Sequence, residues 1–328
     1  MKTNRRVVGT VVIASILALV LASCGSSSGG KKAQENSGGA SRGKADTEEI
    51  KIAMITHSAP GDTFWDQVKT GAKAAAAKDN VDLVYSADPD GNKQAELIQN
   101  AIDQKVDGIA VTMAHADAVR GAIKKAQKAD IPTVGLNAGI EEWKKFGLLE
   151  YFGQDESIAG EAFGEKLNDI GAKHVICVNH EQGSVSLEAR CSGIKSTFDG
   201  EFEVLYVNGE DKSDISSKVT SKLQSDSDID NVAMLNAGFA ITALKAVKDA
   251  NSDATVDTFD LNPELAKAIK EGKIPFAVDQ QPYLQGYLAV DSLWLYKFNG
   301  AIIGGEKPVL TGPTFVTEDN ISDLARFN

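Results

Sequence analysis

Side chains that donate or accept hydrogen bonds recur at one kind of place in this sequence, just past the apolar runs. His57, Asp88, Thr112 and Asn137 follow such runs in the first half; Asn179, His180, Asn208, Asn236, Asp260 and Gln280 follow them in the second. Asn and Gln both donate and accept, Asp accepts, and Arg190 adds a planar fork of donors. That mixture suits a neutral ligand rich in hydroxyls. A phosphate or nucleotide calls for clustered Lys and Arg or glycine-rich helix starts, and neither appears. A sugar ring also has apolar C–H faces, which flat aromatic side chains can cover. The stretch Gly61-Asp62-Thr63-Phe64-Trp65-Asp66 places two aromatics where an apolar run hands over to a helical pattern. Phe64 and Trp65 are expected to wall such a ring, with at least one of the pair packing inward beneath the helix.

The elements that must position these residues alternate with regularity. Apolar runs at 51–56, 81–86, 108–113 and 133–136 predict strands, with helical patterns at 64–78, 92–104 and 116–129 between them. A second set follows, with strands at 174–178, 203–207, 231–235, 255–259 and 275–278. Its helices are expected at 157–170, 185–198, 214–224, 239–250, 263–271 and 283–298. Such alternation implies an α/β fold of parallel sheets with helices on both faces and right-handed crossovers. Sheet sizes favour two sheets of about six strands over one of ten or more. Ligands of open parallel sheets bind beyond the carboxyl ends of the strands. Two facing lobes would therefore enclose a polar cleft at their junction. The helix at 283–298 has no sheet of its own nearby, and could return to the first lobe.

The ends of the chain read differently. Lys2, Arg5 and Arg6 precede an apolar run from Val7 to Leu21, too short for a membrane span. With the small residues that follow, it reads as a secretory signal over residues 1–23. Leu21-Ala22-Ser23-Cys24 resembles a bacterial lipobox, which makes Cys24 the lipidated first residue of the mature chain. Residues 24–49 are rich in Gly, Ser and charge, cannot bury a core, and read as a flexible tether. The formal net charge is −12, more negative still once the basic leader is removed, which disfavours nucleic acid as a partner. Cys177 and Cys191 remain in the body. An exported chain permits a disulfide, but two buried free thiols are the favoured expectation.

No catalytic signature is present. There is no P-loop, no G-x-G-x-x-G after a strand and no G-x-S-x-G elbow. His180-Glu181 lacks the second His of a zincin, and His115 with Asp117 makes too few ligands for a metal. No cofactor and no metal are expected. The many carboxylates leave a secreted carbohydrate-active enzyme as a rival class. A transcriptional regulator is a further rival, but the leader and tether stand where its DNA-binding helices would be.

The body resembles the sugar-binding proteins of ABC importers of the ribose/galactose type, the type I periplasmic binding proteins. The resemblance rests on KIAMITHSAPGDTFWDQVKTGAKAAA, IQNAIDQKVDGIAV, AIKKAQKADIPTVGLN, ARCSGIKSTF and DTFDLNPELAKAIKEGKIPFAVDQQPYLQGYLAV, in that order. It implies two Rossmann-like lobes joined by three hinge crossings, with the C-terminal helix rejoining the first lobe. The lobes implied are 50–153 plus 281–311 and 154–280 plus 312–328. It also implies ligand capture by hinge closure and delivery to permease subunits by a membrane-anchored, extracytoplasmic monomer. A ligand-presenting sensory subunit is the alternative role. The ring-stacking aromatics match Phe64 and Trp65, and the polar residue before them matches Asp62. The family's Arg in an R-x-x-G pattern matches Arg190, its later strand-end residues match Asn236 and Asp260, and its Gln before Pro matches Gln280. The implied ligand set is completed by His57, Asn137 and Gln154. Asn137 stands where the family usually has Asp, and Ala138 where a basic residue often follows. These two departures put ribose in doubt but not a polyol. All the polar positions are expected to lie on cleft rims.

Overall fold

The computed structural model describes residues 44–324; Cys24, the leader and most of the tether lie outside the described residues. The first half runs β1 (Ile50–Thr56), α1 (Phe64–Asp79), β2 (Val81–Ala87), α2 (Gly91–Asp103), β3 (Gly108–Val111), α3 (Ala116–Lys128), β4 (Thr133–Leu136) and β5 (Tyr151–Gly153). The second runs α4 (Glu156–Asp169), β6 (His174–Asn179), α5 (Val185–Thr197), β7 (Glu201–Tyr206), α6 (Lys212–Ser225), β8 (Asn231–Met234), α7 (Ala237–Asp249), β9 (Thr255–Phe259), α8 (Pro263–Lys270) and β10 (Ala277–Asp279). It is followed by α9 (Pro282–Asn299), β11 (Val309–Leu310) and β12 (Thr314–Val316).

These strands form two six-stranded sheets, ordered β11-β5-β4-β3-β1-β2 and β12-β10-β9-β8-β6-β7. Only β12 runs antiparallel to its neighbour. The chain passes from one sheet to the other three times: after β5, after β10, and between β11 and β12. The central strands are covered on both faces, which is why β1 reads as a nearly unbroken apolar run. Edge strand β7 has one covered face and alternates exposed Glu201 and Glu203 with half-buried Phe202.

Helix α9 does return to the first lobe. Ala289, Val290 and Leu293 pack with Ile52, Met54 and Val68 in one core. Its backbone touches that of α1: a Cβ on Gly71 would stand 1.9 Å from the Tyr283 carbonyl oxygen, and one on Gly286 2.0 Å from that of Val68.

Two features depart from expectation. Strands β5, β11 and β12 were not foreseen, because runs of two or three residues carry no periodicity. Cys177 on β6 and Cys191 on α5 are joined in a disulfide, Cα atoms 5.9 Å apart, in place of two free thiols. Pairing depended on the rotation of α5 about its axis, which spacing alone does not give. Closing a loop of this length is worth about 3 kcal/mol, and it staples to the sheet the helix that carries Arg190.

Candidate functional site

The carboxyl ends of both sets of strands face one cavity of about 300 Å³. All of the implied ligand contacts but Gln154 line it.

On the first-lobe side, β1 ends at His57, whose Nδ1 lies 2.8 Å from Thr112 Oγ1. The turn into α1 is held by Asp62, whose carboxylate accepts the Phe64 amide at 3.0 Å. Phe64 and Trp65 meet edge to face with centroids 5.1 Å apart, and Trp65 meets the His57 ring at 4.9 Å. Both aromatics belong to the apolar core around Ile52 and Val68, and both line the cavity. The inward packing expected of at least one ring holds for both, and both also face the cavity.

Just past β4 and β9, Asn137 and Asp260 adopt left-handed backbone conformations, with φ of 63° and 69°, which Asn and Asp enter more readily than other non-glycine residues. Asn137 Nδ2 donates to the Oε1 atoms of Gln280 and Gln285, each at 3.2 Å. Gln280 Nε2 donates to Asp260 Oδ1 at 2.7 Å.

On the second-lobe side, Arg190 is buried rather than set on a rim. Its Nε and Nη2 donate to Glu156 at 2.6 and 2.9 Å, and Nη1 donates to the Leu235 carbonyl at 3.1 Å. Its guanidinium lies over the Phe259 ring, 4.6 Å from the centroid. Gln154, itself buried behind the cavity wall, donates to Glu156 Oε2 at 2.7 Å. The contact of α4 with α5 makes this possible: a Cβ on Gly160 would stand 2.4 Å from the Arg190 carbonyl oxygen, and one on Gly193 2.5 Å from that of Ser157. The glycine of the R-x-x-G pattern therefore lets Glu156, in the first turn of α4, reach Arg190.

Several contacts span the cleft. Asn236 Nδ2 donates to Asp62 Oδ1 at 3.1 Å, and Gln67 Nε2 donates to the Leu261 carbonyl at 2.7 Å. Glu181 reaches His115 Nε2 at 3.1 Å and His57 Nε2 at 3.9 Å. The neighbouring His180 ring packs against Phe239 at 4.7 Å. Burial holds the His57 imidazole below its ordinary range and pushes His180 down to about 4. The hydrogen bond to Glu181 raises His115. Burial works against ionisation of Glu181, but the surrounding imidazoles outweigh it and hold that carboxyl low. Burial raises Asp62, and pushes Asp260 up to about 7 against the opposing Arg190 charge.

Sequence reasoning missed Glu156, Glu181 and His115 as parts of the site. Glu156 carried no signal beyond a carboxylate in a first helical turn, where the helix dipole favours one anyway. Glu181 directly follows the strand-end pair Asn179-His180, which is the one hint it offered. Of the polar strand ends, Asn179 turns away to Glu188, and Asp88 does not line the cavity, whereas its neighbour Pro89 does.

Residues 52–300 match the periplasmic binding protein domain. The chain belongs to that family. Among curated relatives, it is 26% identical to the xylose/arabinose-binding protein XylF of Sulfolobus acidocaldarius, over 68% of this chain and 60% of that one. It is 26% identical to the ribose import binding protein RbsB of Bacillus subtilis, over 74% of this chain and 79% of that one. Among solved structures, a carbohydrate transporter from Acidothermus cellulolyticus 11B, crystallised in complex with myo-inositol, is 52% identical with a TM-score of 0.85. That match covers 85% of this chain and 98% of the other. The two-lobed architecture described above is that of the type I periplasmic binding proteins.

Proposed function

We propose that this periplasmic binding domain captures a neutral cyclic polyol, myo-inositol foremost, between its lobes and delivers it to the permease of an ABC importer. The charge of the cavity wall carries the reading. Arg190 is the only Lys or Arg among the lining residues, and Glu156 already neutralises it. Asp62, Glu181, Glu210 and Asp260 line the same space. An anionic ligand would meet uncompensated carboxylates, whereas hydroxyls can donate to them. Phe64 and Trp65 offer flat apolar area to a ring face. Asn137 and Ala138 stand where the ribose-type pattern has an acid and a base, which speaks against ribose and leaves a polyol.

The contacts proposed are His57, Asp62, Phe64, Trp65, Asn137, Arg190, Asn236, Asp260 and Gln280, with Gln154 acting through Glu156. The lobes divide at 153/154, 280/281 and 311/312. The ligand leaves unchanged, so the chain acts as a carrier and not an enzyme. Among the described residues no helix is long and apolar enough to cross a membrane. Export by the leader and lipid on Cys24 would hold the monomer at the outer face of the membrane. Cys24→Ser should release the protein from the membrane fraction with binding intact; a variant that stays in that fraction contradicts the anchor.

A thermal-shift panel tests the ligand class. A ligand at 100 times its dissociation constant adds about 2.7 kcal/mol of stability. Myo-inositol should shift the melting temperature by several degrees, pentoses less, and sugar phosphates not at all. A shift with sugar phosphates alone would overturn the reading.

A further inference from the structure

We propose a divalent-cation site at the end of the second sheet away from the cleft, formed by His174, Glu203 and Asp226 and suited to zinc. His174 opens β6, Glu203 lies on the adjacent β7, and Asp226 directly follows α6. One ligand atom from each lies within 4.8 Å of the others. The His174 side chain is more than nine-tenths buried, at 8% exposure, and neither ring nitrogen has a hydrogen-bond partner. A buried imidazole with both nitrogens unsatisfied is costly and calls for an explanation. Nε2 lies 3.4 Å from Glu203 Oε1. Two ligands of one tetrahedral zinc, each about 2.0–2.2 Å from the metal, stand about 3.3–3.6 Å apart. Nδ1 lies 3.7 Å from Glu201 Oε2 and 4.0 Å from Asp226 Oδ1, so carboxylates stand at both ring nitrogens, one side to share the metal and the other to orient the imidazole.

The two ligand carboxylates already converge on a positive charge. Lys222 Nζ sits 2.8 Å from Glu203 Oε2 and 3.2 Å from Asp226 Oδ2. That ammonium faces the carboxylates of Glu201, Glu203 and Asp226 grouped around the imidazole, so negative charge is left over. A divalent ion balances it and satisfies the ring, with Lys222 swinging out to solvent. One imidazole and two carboxylates fit zinc better than calcium or magnesium, which prefer all-oxygen shells.

Chelator-treated, full-length mature protein is titrated calorimetrically with zinc chloride at pH 7.5, with calcium and magnesium chlorides in parallel. One zinc should bind, with calcium and magnesium at least tenfold weaker. His174→Ala and Asp226→Asn should each weaken zinc at least tenfold. Lys222→Met should tighten it several-fold by removing the competing ammonium. Binding of myo-inositol should stay unchanged in all three. Asp226 lies on a partly exposed loop, so its variant decides the matter if His174→Ala fails to fold. No saturable zinc binding would overturn the proposal. So would zinc binding that survives both ligand substitutions and competes with myo-inositol, since that places the metal among the cleft imidazoles.

Discussion

The first-lobe wall of the cleft presents Phe64 and Trp65 from a helix that also sends Val68, Ala72, Ala75 and Ala76 into the apolar core. The second-lobe wall presents Arg190 and Asp260, backed by Glu156 and Gln154. The apolar wall is an extension of a hydrophobic core, so the same atoms stabilise the lobe and face the cavity. In the polar wall, Gln154 and Arg190 both donate to Glu156, and Gln280 donates to Asp260. Breaking a buried ion pair is penalised by the charge left behind. Removing a ring is penalised by the area and volume lost. The two walls should therefore fail in different ways.

The largest effect is expected at the polar wall. Arg190→Ala leaves Glu156 buried without its partner, which costs about 3–5 kcal/mol of stability, and polyol affinity should fall more than hundredfold. Arg190→Met with Glu156→Gln, which removes both charges together, should recover most of the melting temperature without the affinity. If the double variant melts as early as the single one, the ionic account of this wall is wrong.

At the apolar wall, Phe64→Ala and Trp65→Ala should each lower stability by about 3 kcal/mol. Each also opens part of the cavity wall on which the ligand closes, which should weaken binding about tenfold, roughly 1.4 kcal/mol. Both quantities should fall together, read by melting and by titration. Loss of stability with normal binding would make the pair core alone.

A smaller effect is expected where the walls meet. The Asn236–Asp62 hydrogen bond crosses the cleft, and one such bond is worth about 1 kcal/mol net. Asn236→Ala should weaken binding about fivefold and reduce the compaction on ligand addition seen by small-angle scattering. It also removes a helix cap, since Asn236 Oδ1 accepts the Gly238 amide, so a modest loss of stability accompanies it.

The smallest effect is a pH slope. Arg190, Asp62 and Glu156 all bear on Asp260, whose carboxyl stands at about 7 in the free cleft because burial disfavours its charge. A ligand hydroxyl donating to the carboxylate favours the ionised form, so binding expels a proton below pH 7. Affinity should begin to fall as pH drops to that value, by about twofold between pH 8 and pH 7. The His115–Glu181 contact acts with the opposite sign, since protonated His115 strengthens it across the cleft. Asp260→Asn should therefore flatten or reverse the slope, and an unchanged slope would remove Asp260 from the contact set.

The alternation of strands and helices was legible because β1, β3 and β6 are covered on both faces and their sequences show it. The return of α9 became legible once the chain could be compared with a fold, not from its own periodicity. The strand-end side chains were legible for the same reason that parallel sheets bind ligands at one end. What sequence could not show is what stands behind them. Arg190 reads as a donor on the cleft rim until the approach of α4 and α5 at Gly160 and Gly193 brings Glu156 to it. The Cys177–Cys191 pair likewise depends on which way α5 faces. Phe64 and Trp65 were expected to wall the cleft with at least one packing inward; sequence could not show that both rings, meeting edge to face, join the core and line the cavity.

The central claim is that the two walls converge on one neutral polyol. Isothermal titration of the mature protein with myo-inositol tests it most directly. The account predicts one saturable site per chain, a negative heat-capacity change from burial of the ring face, and at least tenfold weaker binding in both Trp65→Ala and Arg190→Ala. Saturable binding that survives both substitutions, or none with myo-inositol or any neutral sugar, would contradict it.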